Sequence, residues 1–478
     1  MLQRANNAAD FDHLGEKCGV FAIFGRDLDV SRLSFFGLFG LQHRGQESSG
    51  ITSSDGQQLF SHRGMGLVTQ VFDEESIKKL SGHIAIGHNR YSTSKGSHVK
   101  HAQPIISTNG LVALAHNGNL PSVSALTDFL QNKNMLTEGM SDSEMMTEAI
   151  SYYSSQGLPL GDAIKLSWPL FTGAFSIVVM DKTTLVAARD VCGIRPLAMA
   201  RINGGFAFSS ETCALKPIGA SHFAEVVPGT MVIVDDTGMR TEQVVAPNQK
   251  LDIFEFVYFS RPDSNLLGRS IYKVRQNFGK QLAKEYKVDA DIVMPVPESG
   301  IPAATGYSQV SGLPLEMALV KNRYIHRTFI EPEQHLREQG VRMKLTALPE
   351  ILRGKRVVLI DDSIVRGTTS KQIVNILFEA GAKEVHFLVS SPPIRFPDFY
   401  GIDVPNQKKL IAFSKSVEEI RDFIGATTLH YLTYDGMIAA TGLPENVFCT
   451  TMFNGVYPVD IKERKEDVTY AQIAQTLT

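Results

Sequence analysis

The first half of the chain alternates short apolar runs with polar turns, a pattern typical of buried β-strands. One segment, residues 141–157, has helical spacing instead, with Ser141 or Asp142 as its cap and Gly157 as its stop. The first half is therefore predicted to mix strands with helices. The runs that predict strands are 19–25, 85–93, 110–118, 174–181, 184–190 and one that begins at 231.

The second half has longer, near-continuous apolar runs separated by helical segments. Residues 369–381 show the clearest helical face and end at Gly381. Strands of this kind alternating with helices predict a parallel sheet covered on both faces, with ligands bound at the carboxyl ends of the strands. The predicted strands are 291–300, 315–320, 356–363 and 384–393.

Composition limits the possible classes. At 478 residues the chain exceeds what one hydrophobic core supports, so two or three domains are expected. A net charge of −3 gives no reason to expect nucleic-acid or membrane-surface binding. No apolar run reaches the roughly 18 residues of a membrane span. The four cysteines form no CxxC pair, which fits a reducing cytoplasm better than a disulfide framework or a zinc site.

The strongest local motif is 357-VVLIDDSIVRGTTS-370, in which a buried strand ends in two adjacent carboxylates and a loop leads into a helix. The loop offers backbone N–H groups, hydroxyls and a helix N-terminus, which together suit a phosphate. The carboxylates suit Mg²⁺ or the vicinal hydroxyls of a ribose. An acidic turn before a well-capped helix is the alternative, and it explains each residue alone but not their ordered combination.

This motif resembles the phosphoribosyl-diphosphate (PRPP) signature of type I phosphoribosyltransferases. The resemblance implies that Asp361 and Asp362 address the ribose and the metal. It implies one Mg²⁺ per subunit as the cofactor. The residues expected to hold the 5-phosphate of PRPP are Ser363, Arg366, Gly367, Thr368, Thr369 and Ser370.

Two further segments resemble parts of the same family. PVPESG at 295–300 resembles its second phosphate-and-metal loop, with Ser299 in the position that meets Mg²⁺. Residues 321–345 resemble the long basic loop that closes over the substrate, where Lys321 and Arg327 would neutralise the diphosphate leaving group. Without the neighbouring motifs, this segment would be interpreted as a solvated charged connection.

A single cysteine, Cys18, opens the first predicted strand, and four polar motifs follow it. In their order they resemble the N-terminal-nucleophile glutamine amidotransferases. Joined to a PRPP domain, they resemble the glutamine–PRPP amidotransferase family. The resemblance implies conversion of glutamine, PRPP and water to 5-phosphoribosylamine, diphosphate and glutamate, the first committed step of purine synthesis. The four motifs are 41-LQHRGQESSG-50, 87-GHNRYSTSKG-96, 114-LAHNGNL-120 and 141-SDSE-144.

The first 17 residues have neither the apolar core of a secretory peptide nor the composition of a transit peptide. A frayed N-terminus is one interpretation. The resemblance implies instead a propeptide cut between Lys17 and Cys18. A cysteine thiol titrates near 8.5 and an α-amine at about 7.7–8.0. Once Lys17 is removed, the amine of Cys18 can accept the thiol proton, and no histidine base is needed.

The resemblance also assigns partners to this nucleophile. Asn117 and the backbone N–H of Gly118 match the family's oxyanion hole. Arg90 and Asp142 match the residues that bind the α-carboxylate and α-ammonium of glutamine, and Arg44 is expected to shape the wall of the glutamine site. Taken singly, Asn117-Gly118 is a plain turn and Arg90 a surface ion-pair partner.

Some members of the family carry an iron–sulfur cluster on four cysteines. One thiolate cannot hold a cluster, so none is expected here. Ammonia must pass between the two halves, and the segment 255–264, with Tyr258, resembles the family's coupling region. The positions that match the cluster ligands are Asp252, Asp398, Cys449 and Met452.

The resemblance implies a two-domain α/β fold. Residues 18–250 are expected to form a four-layer αββα N-terminal-nucleophile sandwich, residues 251–460 a parallel-sheet type I phosphoribosyltransferase domain, and residues 461–478 a tail. Purine nucleotides are expected as feedback inhibitors of a cytoplasmic homodimer or homotetramer. No nucleic-acid or membrane partner is expected.

Two other functions share part of the pattern. A glutamine–sugar-phosphate amidotransferase would share the first half, but its second half would lack the IDDSIVRGTTS signature. A non-enzymatic nucleotide sensor would be expected to lose Cys18 or the acidic pair, and both are present. Stimulation of glutaminase activity by PRPP would distinguish the predicted enzyme from a binding module.

Overall fold

The computed structural model describes residues 18–91, 99–322, 344–402 and 406–470. These residues form two α/β domains. Among the helices in these ranges, none is both long enough and apolar enough to cross a membrane.

The first domain contains two antiparallel β-sheets packed face to face. The seven-stranded sheet has the spatial order Ser221–Glu225, Ala198–Ile202, Gly205–Ser209, Gly19–Phe24, Ile84–Arg90, Ser48–Ser54, Leu59–Met65. The six-stranded sheet has the order Gly238–Gln243, Thr230–Asp235, Leu185–Arg189, Thr172–Met180, Ala113–Ser122, Ile105–Ile106.

Alternation of side chains along the strands forms the layers of this domain. On the strand Gly19–Phe24, Val20 and Ala22 pack between the two sheets, while Phe21 and Ile23 pack under the outer helices. The fold is the predicted αββα sandwich. The helices outside the seven-stranded sheet are Val30–Gly40, Val68–Val71, Glu74–Lys78 and Thr212–Leu215, and those outside the six-stranded sheet are Ser124–Gln131, Asp142–Ser155 and Leu160–Ser167.

The second domain is built on a four-stranded parallel sheet, in the order Ile292–Pro295, Arg356–Asp361, Glu384–Val389, Thr428–Tyr431. Val358 and Ile360 face one helical layer, and Val357 and Leu359 face the other. This confirms a parallel sheet covered on both faces. One layer contains Ile271–Glu285, Ile301–Ser311, Tyr434–Thr441 and Thr451–Asn454, and the other contains Pro349–Leu352, Thr368–Glu379, Ile411–Ser414 and Val417–Ile424.

Short elements complete the fold. A π-helix, Glu255–Phe259, begins shortly after the predicted domain boundary at residue 250. Three two-stranded pairs are Leu251–Asp252 with Phe448–Cys449, Asn265–Leu266 with Arg269–Ser270, and Leu319–Lys321 with Leu345–Ala347. The 3-10 helices are Gln42–Arg44, Val99–His101, Trp168–Leu170, Gln407–Lys409, Glu445–Val447 and Lys462–Asp467.

The helix predicted at 141–157 is confirmed as Asp142–Ser155. Its N-cap is Ser141, whose Oγ accepts a hydrogen bond from Glu144 N at 3.2 Å, while Glu144 Oε2 accepts one from Ser141 N at 2.6 Å. This reciprocal capping box satisfies two main-chain donors at the start of the helix.

The strand predicted at 315–320 is wrong in its extent and its partner. Leu315 forms only an isolated bridge with Val293, and the regular strand is Leu319–Lys321, paired with Leu345–Ala347 outside the parallel sheet. The apolar run is only partly buried, because Ala318 and Leu319 are buried whereas Met317 is 44% exposed.

Candidate active site

Cys18 is half-buried and immediately precedes the strand Gly19–Phe24. Ser210 links this strand to the second sheet, because its Oγ accepts hydrogen bonds from Val20 N at 3.0 Å and Asn117 Nδ2 at 3.3 Å. One hydroxyl therefore joins the strand that follows Cys18 to the side chain of Asn117. Sequence analysis did not identify Ser210, and its only signal is a position directly after the strand Gly205–Ser209.

Charged groups converge on the thiol of Cys18. Burial raises the pKa of this thiol, whereas a hydrogen bond with the main chain of Tyr91 and the charge of Arg90 lower it. The carboxylates of Glu47 and Asp142 act in the opposite direction and raise it. Arg90 Nη1 donates a hydrogen bond to Glu47 Oε1 at 3.3 Å. The fold therefore brings together three groups predicted from distant motifs: the thiol, a guanidinium and the carboxylate of Asp142.

Arg44 lies behind Cys18. Its Nε donates to the main-chain oxygen of Cys18 at 3.3 Å, and its two Nη atoms donate to Glu211 and Glu255. Burial would lower the pKa of Arg44, but these two carboxylates outweigh burial and raise it. The guanidinium therefore binds protein groups behind the nucleophile, and the expected role of Arg44 in shaping the wall of the glutamine site stays a prediction.

Asn117 and Gly118 lie on the strand Ala113–Ser122. Phe175 lies opposite Gly118 on the neighbouring strand. Its main-chain oxygen accepts from Asp190 N at 2.9 Å, and its N–H donates to Asp190 Oδ2 at 3.0 Å. In an antiparallel ladder, Gly118 then occupies a non-hydrogen-bonded position, and pairing with the strand of Phe175 does not consume its N–H. Gly118 has φ +150°, and a Cβ atom there would lie 2.0 Å from the main-chain oxygen of Ala174. Only glycine fits this position.

Asp142 occupies the first position of the helix Asp142–Ser155, where the helix dipole favours a carboxylate. Its Oδ1 accepts from Ser143 N at 2.7 Å and its Oδ2 from Leu120 N at 3.3 Å. His116 Nδ1 lies 3.7 Å from Asp142 Oδ2, and burial lowers the pKa of His116. Sequence analysis missed His116, although it directly precedes the predicted oxyanion residue.

In the second domain, Asp361 and Asp362 lie at the carboxyl end of a central strand, and each is 3% exposed. Asp362 N donates to Asp361 Oδ1 at 2.9 Å, and Asp362 Oδ1 accepts from Ser363 Oγ. Asp362 Oδ2 is buried and has no hydrogen-bond partner within the described parts of the chain. Such an atom is costly unless a ligand or ion satisfies it.

The predicted phosphate loop connects this acidic pair to the helix Thr368–Glu379. Gly367 precedes the helix with φ +79°, and a Cβ atom there would lie 2.8 Å from Ile411 Cδ1. The predicted 5-phosphate ligands therefore share one loop and the first turn of one helix. They are Ser363, Arg366, Gly367, Thr368, Thr369 and Ser370.

The predicted second metal loop, 295–300, packs beside the acidic pair. Val296 N donates to Ile360 O at 2.8 Å, and a Cβ atom on Gly300 would lie 2.4 Å from the same oxygen. Ile360 directly precedes the acidic pair, so the loop that carries Ser299 lies at the same edge of the sheet. The structure thus brings these two motifs together.

Lys321 lies at the end of the strand Leu319–Lys321 and is exposed, opposite Leu345 in the two-stranded ribbon. This ribbon is the base of the predicted closing loop. Residues 323–343, including Arg327, lie outside the described residues.

Arg275, which sequence analysis missed, lies between the two predicted sites. It donates to the main-chain oxygens of Phe256, at 2.7 Å, and Ser260, at 2.8 Å, and so holds the π-helix that contains Tyr258. Burial lowers the pKa of Arg275 to about 10, with Asp362 the strongest opposing charge. Its position inside an amphipathic helix gave no sequence signal.

The four positions that match cluster ligands lie together, and a buried guanidinium binds two of them. Arg195 donates to Asp252 Oδ2 at 2.8 Å and to Asp398 Oδ2 at 3.5 Å. Burial raises the pKa of each carboxyl to about 6, although Arg195 opposes the rise. Cys449 and Met452 complete the group. Two carboxylates paired with a cation, one thiol and a thioether do not fit a thiolate-bound cluster.

Comparisons with known proteins identify both domains. The glutamine amidotransferase domain family matches residues 88–217, and the phosphoribosyl transferase domain family matches residues 267–398. Amidophosphoribosyltransferase from Bacillus subtilis is 45% identical over 461 residues, 95% of this chain and 96% of the relative. The enzyme of the same name from Synechococcus elongatus is 46% identical over 459 residues, 95% of this chain and 93% of the relative.

The solved structure of the Bacillus subtilis glutamine PRPP amidotransferase complexed with ADP and GMP superposes with a TM-score of 0.87 at 44% identity. The match covers 95% of this chain and 100% of that chain. A glutamine amidotransferase domain joined to a phosphoribosyl transferase domain defines a glutamine-dependent phosphoribosyltransferase. The chain belongs to the amidophosphoribosyltransferase family. Enzymes of this family catalyse the glutamine-dependent amination of PRPP, the first step of purine biosynthesis.

Proposed function

We propose that this chain carries out the family reaction with Cys18 as the nucleophile of a glutaminase site and Asp361 and Asp362 at the centre of a PRPP site. The domains would span residues 18–250 and 251–460. The observation that carries the proposal is the pairing of Gly19 with Asn89, which places Cys18 beside Arg90 on the neighbouring strand. The charges of Arg90 and Asp142 both act on the Cys18 thiol.

In the glutaminase half, Cys18 Sγ attacks the side-chain carbonyl carbon of glutamine. The α-amine of Cys18 takes the thiol proton and delivers it to the departing ammonia. Asn117 Nδ2 carries two hydrogens, so its bond to Ser210 leaves one for the developing oxyanion. The Gly118 N–H is the second donor. Water then hydrolyses the thioester and releases glutamate.

Arg90 and Asp142 would hold the α-carboxylate and α-ammonium of glutamine. The Cys18 amine can act only after the bond to Lys17 is broken, so removal of residues 1–17 is a condition of this mechanism. Intact mass of the purified protein tests this step directly. Loss of residues 1–17 supports it, whereas an active protein that retains them contradicts it.

In the synthase half, ammonia attacks C1 of PRPP and diphosphate leaves. The loop 363–370 would bind the 5-phosphate through main-chain N–H groups, hydroxyls and the helix N-terminus. Lys321 and Arg327 would neutralise the diphosphate. Asp361, Asp362 and Ser299 would hold Mg²⁺, and the unpartnered Asp362 Oδ2 fits a metal or ribose ligand. Mg²⁺, when bound, offsets negative charge on the diphosphate.

We further propose that purine nucleotides inhibit the enzyme, because the similar Bacillus subtilis structure was solved with ADP and GMP. We also propose that the enzyme is a homodimer or homotetramer, that it is cytoplasmic and that it contains no iron–sulfur cluster. Sedimentation of the purified protein tests the assembly.

The experiment for the central function is diphosphate release from PRPP with glutamine as the nitrogen source, with glutaminase activity measured with and without PRPP. The proposal expects glutamine-dependent release and faster glutamine hydrolysis when PRPP is present. Glutamine hydrolysis without any PRPP consumption would favour a different acceptor and contradict it.

A further inference from the structure

We propose that a loop of the second domain, residues 398–402, positions the oxyanion hole of the first domain. The inference rests on the proposed roles of Cys18 and Gly118. In this account Gly401 and Asn119 are positioning residues, and the glutaminase site is complete only when the two domains are packed together.

Two contacts join the loop to the oxyanion strand. Asn119 Nδ2 donates to the main-chain oxygen of Phe399 at 2.8 Å. Gly401 packs directly on Gly118: a Cβ atom on Gly401 would lie 3.2 Å from Gly118 C, 3.3 Å from its O and 3.4 Å from its Cα. These separations are tight for a Cβ atom, so Gly118 would have to shift to accept one.

Gly118 is also closely packed within its own domain. A Cβ atom built on Gly118 itself would lie 2.0 Å from Ala174 O and 2.8 Å from His116 Nε2. The main chain at Gly118 is therefore held between a neighbouring strand of its own sheet and the loop of the second domain. A Cβ atom on Gly401 would therefore displace Gly118, the residue whose N–H is the proposed oxyanion donor.

The loop itself is firmly held. Asp398 Oδ2 accepts hydrogen bonds from Tyr400 N at 3.0 Å and Ile402 N at 2.6 Å. Arg195, fully buried in the first domain, donates from Nε to Tyr400 O at 2.9 Å and from Nη2 to Asp398. The hydroxyl of Tyr400 donates to Val459 O at 2.5 Å. A loop fixed from both domains is suited to support a donor whose angle and distance decide its effect.

The test compares two glycines with nearly the same φ. Gly401 has φ +117° and Gly238 has φ +115°, but a Cβ atom on Gly238 would meet nothing within 4 Å. Gly401→Ala and Gly238→Ala therefore share the cost of a positive φ, and only the first presses on Gly118. Both are measured for glutaminase kcat and KM, ammonia-dependent synthesis and thermal midpoint in the full-length protein.

For Gly401→Ala we expect glutaminase kcat to fall about tenfold, since complete loss of one oxyanion donor costs about 10²–10³. The KM for glutamine should stay within about twofold of wild type, because the residues that bind glutamine are unchanged. The ammonia-dependent rate should also stay within about twofold, because the PRPP site is unchanged. Gly238→Ala should keep both rates. An unchanged glutaminase kcat in Gly401→Ala, or an equal fall in the ammonia-dependent rate, overturns the inference.

A second pair of variants covers the case in which Gly401→Ala does not fold. Asn119→Ala removes the hydrogen bond to Phe399 O, and Asn277→Ala removes an amide-to-carbonyl bond between two helices of the second domain, to Ala440 O at 3.2 Å. Asn119→Ala should lower glutaminase kcat at constant KM, whereas Asn277→Ala should not. An equal change of kcat in the two variants contradicts the inference. A wild-type protein without glutaminase activity would instead refute the proposed function, so the two failures are distinguishable.

Discussion

Arg44 and Glu255, 211 positions apart in the chain, form a fully buried two-point ion pair. Arg44 Nη2 lies 2.8 Å from Glu255 Oε1, and Nη1 lies 3.0 Å from Oε2. Arg44 also contacts the carbonyl of Cys18, and Glu255 begins the π-helix held by Arg275. The wall behind the nucleophile is therefore fastened directly to the segment that leads to the PRPP domain.

Glu255→Gln should destabilise the protein by about 3 kcal/mol, because breaking one partner of a buried pair leaves the other charge poorly compensated. Urea unfolding measures the change. The matched control is Glu74→Gln, which breaks an exposed two-point pair with Arg32, at 2.7 and 2.9 Å. The control should keep the wild-type midpoint, and an equal loss in both variants would contradict a special role for burial.

Asp361→Asn or Asp362→Asn should abolish most PRPP amination with either glutamine or ammonia. Both nitrogen sources use the same acceptor, and the amide lacks the charge that suits a metal or a ribose hydroxyl. Diphosphate release measures both reactions. Asp422→Asn, an exposed change in the same domain, is the control. Wild-type rates in Asp361→Asn and Asp362→Asn would show that the acidic pair is only a structural turn.

His88 should make the protein sensitive to mild acid. Burial lowers its pKa to about 3 from an ordinary 6.5. Nε2 lies 3.1 Å from His116 O, and no described group bonds to Nδ1. The folded protein therefore excludes a proton that the unfolded chain binds below 6.5. This contribution to stability is present above pH 6.5 and is lost as pH falls towards 3.

Between pH 7 and pH 5 the loss from this one group is about 2 kcal/mol. His88→Gln keeps a donor for His116 O but cannot titrate, so its free energy of unfolding should fall less over that range. Denaturant titrations at the two pH values measure the difference. His222→Gln, at an exposed position, should behave like wild type. A parallel pH dependence in His88→Gln and wild type would refute the assignment.

The protein should be colourless and stable in air. Arg195 binds two of the four positions that match cluster ligands, and Cys449 Sγ lies 3.0 Å from Thr451 Oγ1. Cys449→Ser should therefore cost only a modest packing penalty and keep both activities. Iron and sulfide assays on anaerobically purified protein decide the matter. About four iron atoms per chain would show that the alignment of these positions is wrong.

The sequence predicted most of what depends on local order. The start of the helix at Ser141 or Asp142 and the loop after Asp362 are encoded within a few residues, so they could be predicted from the sequence. The strand Ser48–Ser54 was missed because its serines suggest a loop, yet all seven residues are buried between neighbouring strands. There tertiary packing overrides residue preference.

The sequence could not predict which residues far apart in the chain contact each other in the folded protein. Arg195, Glu255 and Arg275 are unremarkable in their segments, and their roles depend on partners brought close only by the fold. Gly401 is similar, since its contact with Gly118 joins two domains. Such relationships have no short-range signature, whereas catalytic motifs do, because chemistry requires particular residue types at fixed spacing.

The most direct test of two cooperating sites is the ratio of glutamine-dependent to ammonia-dependent diphosphate release in Cys18→Ser, relative to wild type. The serine hydroxyl is a far weaker nucleophile than the thiolate at neutral pH, and the PRPP site contains no part of Cys18. We predict that the glutamine-dependent rate falls by about 10³ or more while the ammonia-dependent rate stays within about twofold. Loss of both rates together, or survival of the glutamine-dependent rate, would contradict the account.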